Sequence, residues 1–278
     1  MRMDDFLSTL AQRSAALAVP EEGDFMRDGL LHCGKCGKPK QCRVALHGET
    51  EGQQVVGCCC DCRNQEYLRR KEDQEREEKR LRIEALRSDG IRDRGLSACR
   101  FDTAEMTEEL TKCRRYAERW KEMQEQNSGL LLWGNTGNGK TYAAACIANY
   151  LIDRGTPAMV TSFPRILNAG WDKQEIIEQM HHYPLVVIDD LDVERSTEYA
   201  METVYMVIDE RYKAKKPLIV TTNLTLEELC KPKSMDYRRI YERILEMCVP
   251  VAFKGESFRQ RAANEKMRRM KEILDGGA

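Results

Sequence analysis

The segment GNTGNGKT, residues 134–141, constrains the fold of this chain more than any other stretch. It has the form G-x-x-x-x-G-K-[ST], in which a glycine-rich turn wraps around phosphate groups. The apolar run LLLW, residues 130–133, precedes it, and the helix-forming run YAAACIA, residues 142–148, follows it. The motif requires a buried strand on one side and a helix on the other. The sequence therefore predicts a phosphate-binding loop between β-strand and α-helix.

The residues of this loop have distinct expected parts in binding a nucleoside triphosphate. Glycines let backbone N–H groups approach phosphate oxygens without a Cβ in the way. Lys140 brings a full positive charge to the β- and γ-phosphates, and the start of the helix adds partial positive charge. Thr141 offers a hydroxyl to Mg²⁺. We expect ATP and Mg²⁺ as ligands, held by Gly134, Asn135, Thr136, Gly137, Asn138, Gly139, Lys140 and Thr141.

Polar residues follow two further apolar runs. Asp189 and Asp190 come directly after LVVI, residues 185–188, and Asn223 comes directly after PLIVTT, residues 217–222. Parallel sheets bind ligands at the carboxyl ends of their strands. There Asp189 would hold Mg²⁺ through water and Asp190 would polarise the attacking water, unless Asp190 is only a turn acid. Asn223 is placed to hydrogen-bond the γ-phosphate or that water.

Strands and helices alternate along the chain from about residue 97. Apolar runs predict five strands, at residues 130–133, 158–162, 185–188, 217–222 and 248–253. Helical patterns predict helices before and between these strands, among them one that carries Leu110, Tyr116 and Trp120 and one that runs through Tyr205, Ile208 and Tyr212. Such alternation indicates an α/β fold with a five-stranded parallel sheet covered on both faces.

Composition sets limits on partners and location. With 45 Lys and Arg against 46 Asp and Glu, the formal net charge is -1, so any nucleic-acid surface must be local. No apolar run approaches the roughly 20 residues needed to span a bilayer. The N-terminus carries acids in its first turn and has no apolar core of the secretory type. These features are typical of a cytoplasmic protein.

The chain divides by composition into four expected regions. Residues 1–30 form an N-terminal segment with the pattern of a short amphipathic helix, and residues 31–62 are rich in Cys and Gly. Residues 63–95 are highly charged and read as a helical linker whose mixed signs supply i,i+4 ion pairs. Residues 96–278 carry the α/β pattern and form the expected ATPase domain.

Twelve cysteines are present, and seven of them lie between Cys33 and Cys62. In a reducing compartment such a cluster more often binds metal than forms disulfides. Cys33 and Cys36 form a C-x-x-C-G knuckle that directs two thiolates to one ion, and Zn²⁺ is the expected metal. Spacing leaves the second pair open, since CCCDC, residues 58–62, offers four thiols and allows Cys59 with Cys62. His32, His47 and Cys42 are less well spaced donors.

The joint pattern resembles a known family. The runs GLLLWGNTGNGKTYAA, LVVIDDLDVE, VIDERYKAKKPLIVTTNL and RRIYERILEMCVPVAFKGESFR are similar to those of the AAA+ ATPases of the DnaC/DnaI helicase-loader group, with the IstB transposition helpers as close relatives. The resemblance covers residues 97–260 strongly. It extends more loosely to residues 30–70, where HCGKCGKPKQCRV and CDCRNQE resemble the cysteine segments of DnaC-like phage and prophage proteins.

This resemblance implies roles for individual residues. Gly139, Lys140, Thr141 and Asp189 would contact nucleotide and Mg²⁺, and Asn223 matches the family's first sensor. Arg243 matches the arginine finger that reaches the neighbouring subunit's site, with Arg239 as the second choice, and Arg259 matches a second sensor. The resemblance also favours Cys60 and Cys62 as the second metal-binding pair. An arginine is suited to these positions because it is a planar, always-charged donor for phosphate charge.

The resemblance implies an ATP-dependent loader that binds a replicative hexameric DNA helicase, binds single-stranded DNA and self-assembles through its AAA+ domain. Two local groups of basic residues are the expected DNA surface: Lys231, Lys233, Arg238 and Arg239, and Lys266, Arg268, Arg269 and Lys271. The alternative is that both groups are solvent-exposed faces of helices that bind no DNA. One other reading is a transposition helper that acts on duplex DNA. Another is an ATP-binding adaptor with little hydrolysis, which the short side chain of Asp190 keeps open.

Overall fold

A computed structural model describes residues 19–46, 52–191, 198–232 and 235–275 of the chain. It forms two compact units, Met1–Arg80 and Leu81–Ala278. The second unit begins before residue 96, the expected start of the ATPase domain. The reason is that Ile83 and Leu86, in the expected linker, pack against its hydrophobic core.

The N-terminal unit contains two short antiparallel hairpins. Strands β1 (Phe25–Arg27) and β2 (Leu30–His32) form the first, and β3 (Gln41–Leu46) and β4 (Gly52–Gly57) form the second. The prediction of a helix within residues 1–30 is wrong for residues 25–30, which form a hairpin, and residues 1–18 lie outside the described part. Asp28 and Gly29 have φ values of 51° and 73°, the left-handed pair that a two-residue hairpin turn requires.

A 30-residue helix, α1 (Asp61–Gly90), follows the second hairpin. Most of its residues are exposed, and it carries ion pairs one turn apart, such as Arg70 with Glu66 and Lys71 with Glu75. Its last residue, Gly90, is buried, and a Cβ built there would lie 2.0 Å from the carbonyl oxygen of Ala158. Within the second unit, the end of α1 therefore lies closer to the backbone of β6 than any side chain would allow.

The second unit contains five strands and ten α-helices among the residues described. The strands are β5 (Gly129–Trp133), β6 (Ala158–Ser162), β7 (Leu185–Asp189), β8 (Leu218–Thr222) and β9 (Cys248–Ala252). The helices are α2 (Arg94–Ser97), α3 (Glu108–Glu118), α4 (Trp120–Glu125), α5 (Lys140–Ile152), α6 (Phe163–Leu167), α7 (Lys173–Gln179), α8 (Glu198–Ala214), α9 (Leu226–Cys230), α10 (Met235–Met247) and α11 (Phe258–Leu274). Short 3-10 turns lie at Phe101–Thr103, Gly170–Asp172 and Met180–His182.

All five strands of the sheet are parallel, in the order β6-β7-β8-β5-β9. This confirms the predicted fold class, and each predicted strand lies within one residue of its observed bounds. The helix expected to carry both Tyr116 and Trp120 is divided instead, because Arg119 between α3 and α4 has non-helical dihedral angles. Each connection between neighbouring parallel strands passes through at least one helix, as parallel pairing requires.

Hydrophobic side chains alternate between the two faces of this sheet. Leu130 and Leu132 pack with α5 in one buried cluster, whereas Leu131 packs with residues of α8 and α10 in the other. Both faces of β5 are therefore buried, which explains why its sequence is a continuous apolar run rather than an alternating one. The polar residues that follow β5, β7 and β8 emerge together at one edge of the sheet.

The two outer strands of the sheet differ. Ile91, just after α1, forms a parallel bridge to Val160 on the outer side of β6. On the other side, β9 carries Pro250, which is exposed. Proline has no N–H to donate and is found in sheets at such outer positions. No helix among the described residues has the length and apolar content needed to cross a bilayer.

Candidate functional site

The predicted phosphate loop connects β5 to α5, as the motif requires. Gly137 has φ 86°, a conformation that side-chain-bearing residues rarely adopt, and a Cβ there would lie 2.0 Å from Ser257 Oγ. Gly139, with φ 89°, is the N-cap of α5. The side chain of Asn138 is buried and donates to the carbonyls of Phe253 (3.2 Å) and Gly255 (3.1 Å). The loop is thus held against the segment after β9.

Lys140, the first residue of α5, is only 7% exposed. Its Nζ donates to the carbonyls of Gly134 and Asn135, both at 2.8 Å, and to Asn223 Oδ1 at 3.0 Å. Burial lowers the pKa of its ammonium group, while the charges of Asp189 and Asp190 raise it. A buried cation whose described partners are neutral oxygens is suited to an anionic ligand such as phosphate.

The two acids lie where the sequence predicted them. Asp189 ends β7, and its Oδ1 accepts a hydrogen bond from Thr141 Oγ1 at 2.7 Å. A threonine hydroxyl and a carboxylate in contact provide the oxygen ligands that Mg²⁺ uses beside nucleotide phosphates. Asp190 has φ 63°, in the left-handed region. Its backbone N–H donates to Thr221 Oγ1 at 3.0 Å.

These residues meet in one cavity of about 560 Å³. The predicted site residues that line it are Thr136, Gly137, Asn138, Gly139, Lys140, Thr141, Asp189, Asp190, Asn223 and Arg259. Gly134 and Asn135 contribute through their carbonyls, which hold Lys140. The structure therefore brings ten of the predicted nucleotide-site residues together in the cavity. The other two, Gly134 and Asn135, hold the side chain of Lys140 in place.

Arg243 is not in this cavity. It lies on α10, where it forms an ion pair with Asp209 of α8 and its guanidinium lies 4.8 Å from the ring centre of Tyr205. Its side chain is 27% exposed. Arg239, one turn earlier on α10, is exposed. Of the two arginines considered for a neighbouring subunit's site, Arg239 is thus the more accessible.

Sequence reasoning missed one half of the cavity. The other lining residues carry apolar or hydroxyl side chains, apart from the acid Glu105: Thr103, Ala104, Glu105, Thr107, Leu110, Tyr142, Thr221, Phe253 and Phe258. They come from the segment before α3, from α3, α5 and β8, from the residue after β9 and from the start of α11. Only the folded chain brings these distant segments together. The result is an apolar slot next to a phosphate cradle, which suits a molecule with a flat ring and a charged tail.

The four predicted cysteine ligands also come together, in the N-terminal unit. The sulfur atoms of Cys33, Cys36, Cys60 and Cys62 all lie within 4.8 Å of one another. Cys62 Sγ lies 3.4 Å from both Cys33 Sγ and Cys60 Sγ. Zn–S bonds of about 2.3 Å in a tetrahedron place sulfurs about 3.8 Å apart, so this donor set fits Zn²⁺.

Electrostatics within the cluster point the same way. Backbone N–H groups of Cys36 and Lys35 lower the pKa of Cys33, and those of Cys62 and Lys38 lower the pKa of Cys36 to about 6. The crowded thiols raise the pKa of Cys62 to about 12. Four sulfurs this close cannot all be thiolates unless a cation offsets their charge.

The other donors considered in this region lie apart from the four sulfurs. Cys59 is exposed, Cys58 Sγ contacts the carbonyl of Pro39, and His32 Nδ1 lies 3.0 Å from the carbonyl oxygen of Gly37. Cys42 lies on β3 and His47 lies outside the described residues. The pairing of Cys59 with Cys62, which spacing alone allowed, is not the arrangement seen.

Acids partly neutralise the two basic groups expected to bind DNA. Lys231 pairs with Glu227 at 3.4 Å, Arg238 with Glu242 at 2.8 Å and Arg269 with Glu265 at 2.6 Å. Lys233 lies outside the described residues. Arg239, Lys266, Arg268 and Lys271 are exposed. These groups are less concentrated sources of positive charge than the sequence suggests.

Known proteins match the chain in sequence and in fold. The sequence profile of the IstB-like ATP binding protein family matches residues 65–266. The replicative helicase loader DnaC of Escherichia coli (strain K12) is 26% identical over 168 residues, which cover 56% of this chain and 65% of DnaC. The replicative helicase loader DnaI of Bacillus subtilis (strain 168) is 25% identical over 249 residues, which cover 82% of this chain and 78% of DnaI.

The fold has a counterpart among solved structures. A crystal structure of DnaI matches with a TM-score of 0.52 and 22% sequence identity, over 59% of this chain and 96% of that one. This likeness bears on the fold alone. The chain spans about 65% of the length of the DnaC relatives it matches. With a profile match over residues 65–266, an AAA+ type α/β sheet and an intact phosphate loop, the chain belongs to the family of IstB-like ATP binding proteins.

Proposed function

We propose that this chain binds ATP together with Mg²⁺ and hydrolyses it to ADP and phosphate. One observation carries the proposal: Lys140, Thr141, Asp189 and Asn223 meet in a single cavity beside an apolar slot. The slot is suited to the adenine base, and the loop is suited to the phosphates. Bound Mg²⁺ would supply charge neutralisation at the β- and γ-phosphates.

The chain's own residues would share the work as follows. Lys140 and the loop N–H groups bind the phosphates, and Thr141 with Asp189 provides the oxygen atoms for the metal. Asp190 accepts a proton from the attacking water, and Asn223 orients that water or the γ-phosphate. Arg259 lines the same cavity and adds positive charge near the phosphates. Either Arg243 or Arg239 would act as the finger toward a neighbouring subunit.

The proposed partner is a replicative hexameric DNA helicase, which the chain would bind and deliver to single-stranded DNA at replication initiation. Relatives that bear the name replicative helicase loader support this. The DnaI match covers 82% of this chain, which is more than the part from residue 65 to the end could supply. The match therefore includes residues that precede residue 65, where the family profile begins. In this proposal residues 1–62, stabilised by Zn²⁺, bind the helicase. Residues 63–95 are the linker, and residues 96–278 are the ATPase that self-assembles.

A second function has one specific observation in its favour, the match to the IstB-like profile itself. In that case the ATPase would assemble on duplex DNA and assist a transposase. The two functions differ in the DNA form that the ATP-bound chain prefers. They also differ in whether a helicase binds.

The ATP site is tested by nucleotide titration of two variants. Lys140→Ala removes the charge that faces the phosphates and should abolish ATP binding. Asp189→Asn should keep much of the binding and lose Mg²⁺-dependent turnover, because it alters only the oxygen ligand for the metal. Tight ATP binding by the Lys140→Ala chain would contradict the assignment of the loop.

Helicase loading is tested on circular single-stranded DNA that carries one annealed oligonucleotide. A ring-shaped helicase can thread onto a linear strand unaided, whereas a circle offers no end. Displacement of the oligonucleotide from the circle should therefore require this chain in addition to helicase and ATP, while displacement from a linear control with a free tail should require only helicase and ATP. If the chain has no effect on the circle but assembles on duplex DNA with ATP, the transposition function replaces the loader.

A further inference from the structure

A buried threonine joins the two acids of the candidate ATP site. Thr221, on β8, is 2% exposed, and its hydroxyl lies between Asp189 and Asp190. Its Oγ1 donates to Asp189 Oδ1 at 2.5 Å and accepts from the backbone N–H of Asp190 at 3.0 Å. One side chain thus holds both the carboxylate expected near the metal and the backbone of the expected base.

The hydrogen positions in this arrangement follow from simple counting. A threonine hydroxyl has one hydrogen, which goes to the Asp189 carboxylate, and it has lone pairs, one of which receives the Asp190 N–H. Thr141 Oγ1 donates to the same oxygen of Asp189, at 2.7 Å. Oδ1 is therefore engaged by two hydroxyls, which fixes the rotation of the carboxylate and directs Oδ2 to a different side.

Strand β8 also holds the turn that contains Asp190. The carbonyl of Thr221 accepts from the N–H of Leu191 at 2.9 Å, and Thr222 Oγ1 donates to the carbonyl of Leu191 at 2.7 Å. Asp190 itself has φ 63°, which aspartate tolerates but does not prefer. The Thr221 hydroxyl thus helps to hold Asp190 in an unfavourable backbone conformation, at the point where Asp190 lines the cavity.

We propose that Thr221, which lines the cavity from β8, is a positioning residue for ATP hydrolysis and acts through its hydrogen bonds to Asp189 and Asp190. This inference rests on the proposed ATPase function. Threonine suits the position because it combines a hydroxyl with a methyl group. Valine has the same shape but lacks the hydroxyl, and serine has the hydroxyl but lacks the methyl group. Thr222 provides a matched control. It is equally buried, its hydroxyl is equally engaged in the same turn, and it contacts neither acid side chain.

The test compares full-length Thr221→Val, Thr221→Ser and Thr222→Val with the parent chain. Thr221→Val should lower kcat by roughly 10- to 100-fold, the usual effect of losing a group that orients a metal-binding residue. It should also raise the Mg²⁺ concentration required for half-maximal binding of a non-hydrolysable ATP analogue. Thr221→Ser should restore both quantities to within about threefold of the parent. Thr222→Val should leave the Mg²⁺ requirement unchanged, whatever its effect on thermal stability.

One result would overturn the positioning role, and a different one would overturn the ATPase function. If Thr221→Val and Thr222→Val lower turnover equally with the same Mg²⁺ requirement as the parent, Thr221 only stabilises the fold. If the parent chain hydrolyses no ATP with or without DNA and helicase, the proposed ATPase function fails. The role of Thr221 is then decided by the Mg²⁺ dependence of analogue binding, which requires no turnover.

Discussion

Arg243 and Arg239 lie one turn apart on α10 but have very different surroundings. Arg243 is engaged within its own chain by Asp209, and its guanidinium lies 4.8 Å and 5.3 Å from the ring centres of Tyr205 and Tyr212. To reach a neighbouring subunit it would have to leave an ion pair that is largely shielded from water. Arg239 has no such cost, because it is exposed.

We expect alanine substitution to separate the two arginines. Arg243→Ala should lower the free energy of unfolding by about 1–3 kcal/mol, because Asp209 loses a partly buried partner. Arg239→Ala should leave stability within about 0.5 kcal/mol. If Arg239 is the finger, its alanine variant binds ATP normally but hydrolyses it slowly. Mixing it with Lys140→Ala chains then restores some turnover, since one chain supplies the site and the other the arginine.

The outcome would be read from denaturant unfolding together with ATPase rates. Loss of hydrolysis in folded Arg243→Ala, with recovery on mixing and normal hydrolysis by Arg239→Ala, would return the finger role to Arg243. Absence of recovery for either variant, in assemblies shown to contain both chains, would place neither arginine in a neighbouring site.

Individual site residues differed in how far they could be predicted. Loop and strand-end residues, such as Lys140 and Asp189, are predictable because a strand, a glycine turn and a helix are local in sequence. The contact between Thr221 and Asp189 depends on β7 and β8 being neighbours in the sheet, and no pattern in either strand indicates that a hydroxyl will meet a carboxylate. The apolar slot is beyond prediction for the same reason, because residues near 104 and near 258 contribute to it together.

At the scale of elements, the end of α1, which belongs to the second unit, makes several specific contacts within that unit. Arg87 hydrogen-bonds Asn149 of α5 at 3.2 Å and pairs with Asp153, and Tyr183 donates to Asp89. Gly90 lies directly against the carbonyl oxygen of Ala158. The charge pattern predicts a solvated helix, and it could not indicate this docking, because glycine at a helix end usually signals only a cap.

The helix end provides a prediction with a control two residues away. Gly90→Ala should lower the free energy of unfolding of the second unit by about 2 kcal/mol or more. Its Cβ would lie 2.0 Å from a backbone oxygen, and a backbone atom cannot move aside cheaply. The better helix propensity of alanine offsets at most about 1 kcal/mol of this loss in stability. Ser88→Ala, on the exposed side of the same turn, should change it by less than about 0.5 kcal/mol. Equal stability of the two variants would contradict the close approach.

Helix α8 carries a second specific contact, made by the buried side chain of Arg211. Its guanidinium donates to the carbonyls of Met180 and Tyr183, both at 3.0 Å, and to those of Pro184 and Pro217 at 3.1 and 2.5 Å. These carbonyls precede β7 and β8, the strands that position Asp189 and Thr221. Burial lowers the pKa of Arg211 to about 10, so the group stays charged at neutral pH.

We expect Arg211→Leu to lower the free energy of unfolding by about 3–5 kcal/mol, since it leaves buried carbonyls without donors. Arg211→Lys should lie between this variant and the parent, because an ammonium group has three hydrogens and cannot reach all four oxygens. Chemical denaturation measures both. A leucine variant as stable as the parent would mean that water or a local shift satisfies the carbonyls.

At the scale of the whole molecule, the two candidate sites fall in different units. The four cysteine sulfurs lie in the N-terminal unit, and the phosphate loop lies in the second. The second unit has two extensive hydrophobic clusters around its sheet, whereas the first has few buried apolar residues in its described part. A unit with so small a core depends on a metal or another staple for its fold.

Metal analysis of purified chain should find about one Zn²⁺ per molecule. Cys60→Ser should lose it, and Cys59→Ser, one position earlier, should keep it, because only Cys60 belongs to the sulfur cluster. Chelation should remove hydrogen-exchange protection from residues 19–60 while binding of an ATP analogue persists. Retention of metal by Cys60→Ser with loss by Cys59→Ser would reverse the assignment.

Pro250, on the outermost strand β9, has a consequence for how the protein behaves at high concentration. A bare strand edge is a template on which another molecule's strand can align, the first step toward fibrous aggregates. A proline in the middle of this five-residue strand removes one hydrogen-bond donor from the outer edge of β9. At the opposite edge of the sheet, Ile91 pairs with Val160 of β6 and covers part of that edge. Pro250→Val would restore the missing donor, so concentrated solutions of that variant should scatter more light over days than those of the parent chain. The proline in β9 would then protect solubility without loss of a hydrogen bond in the sheet, and independently of any role in ATP chemistry.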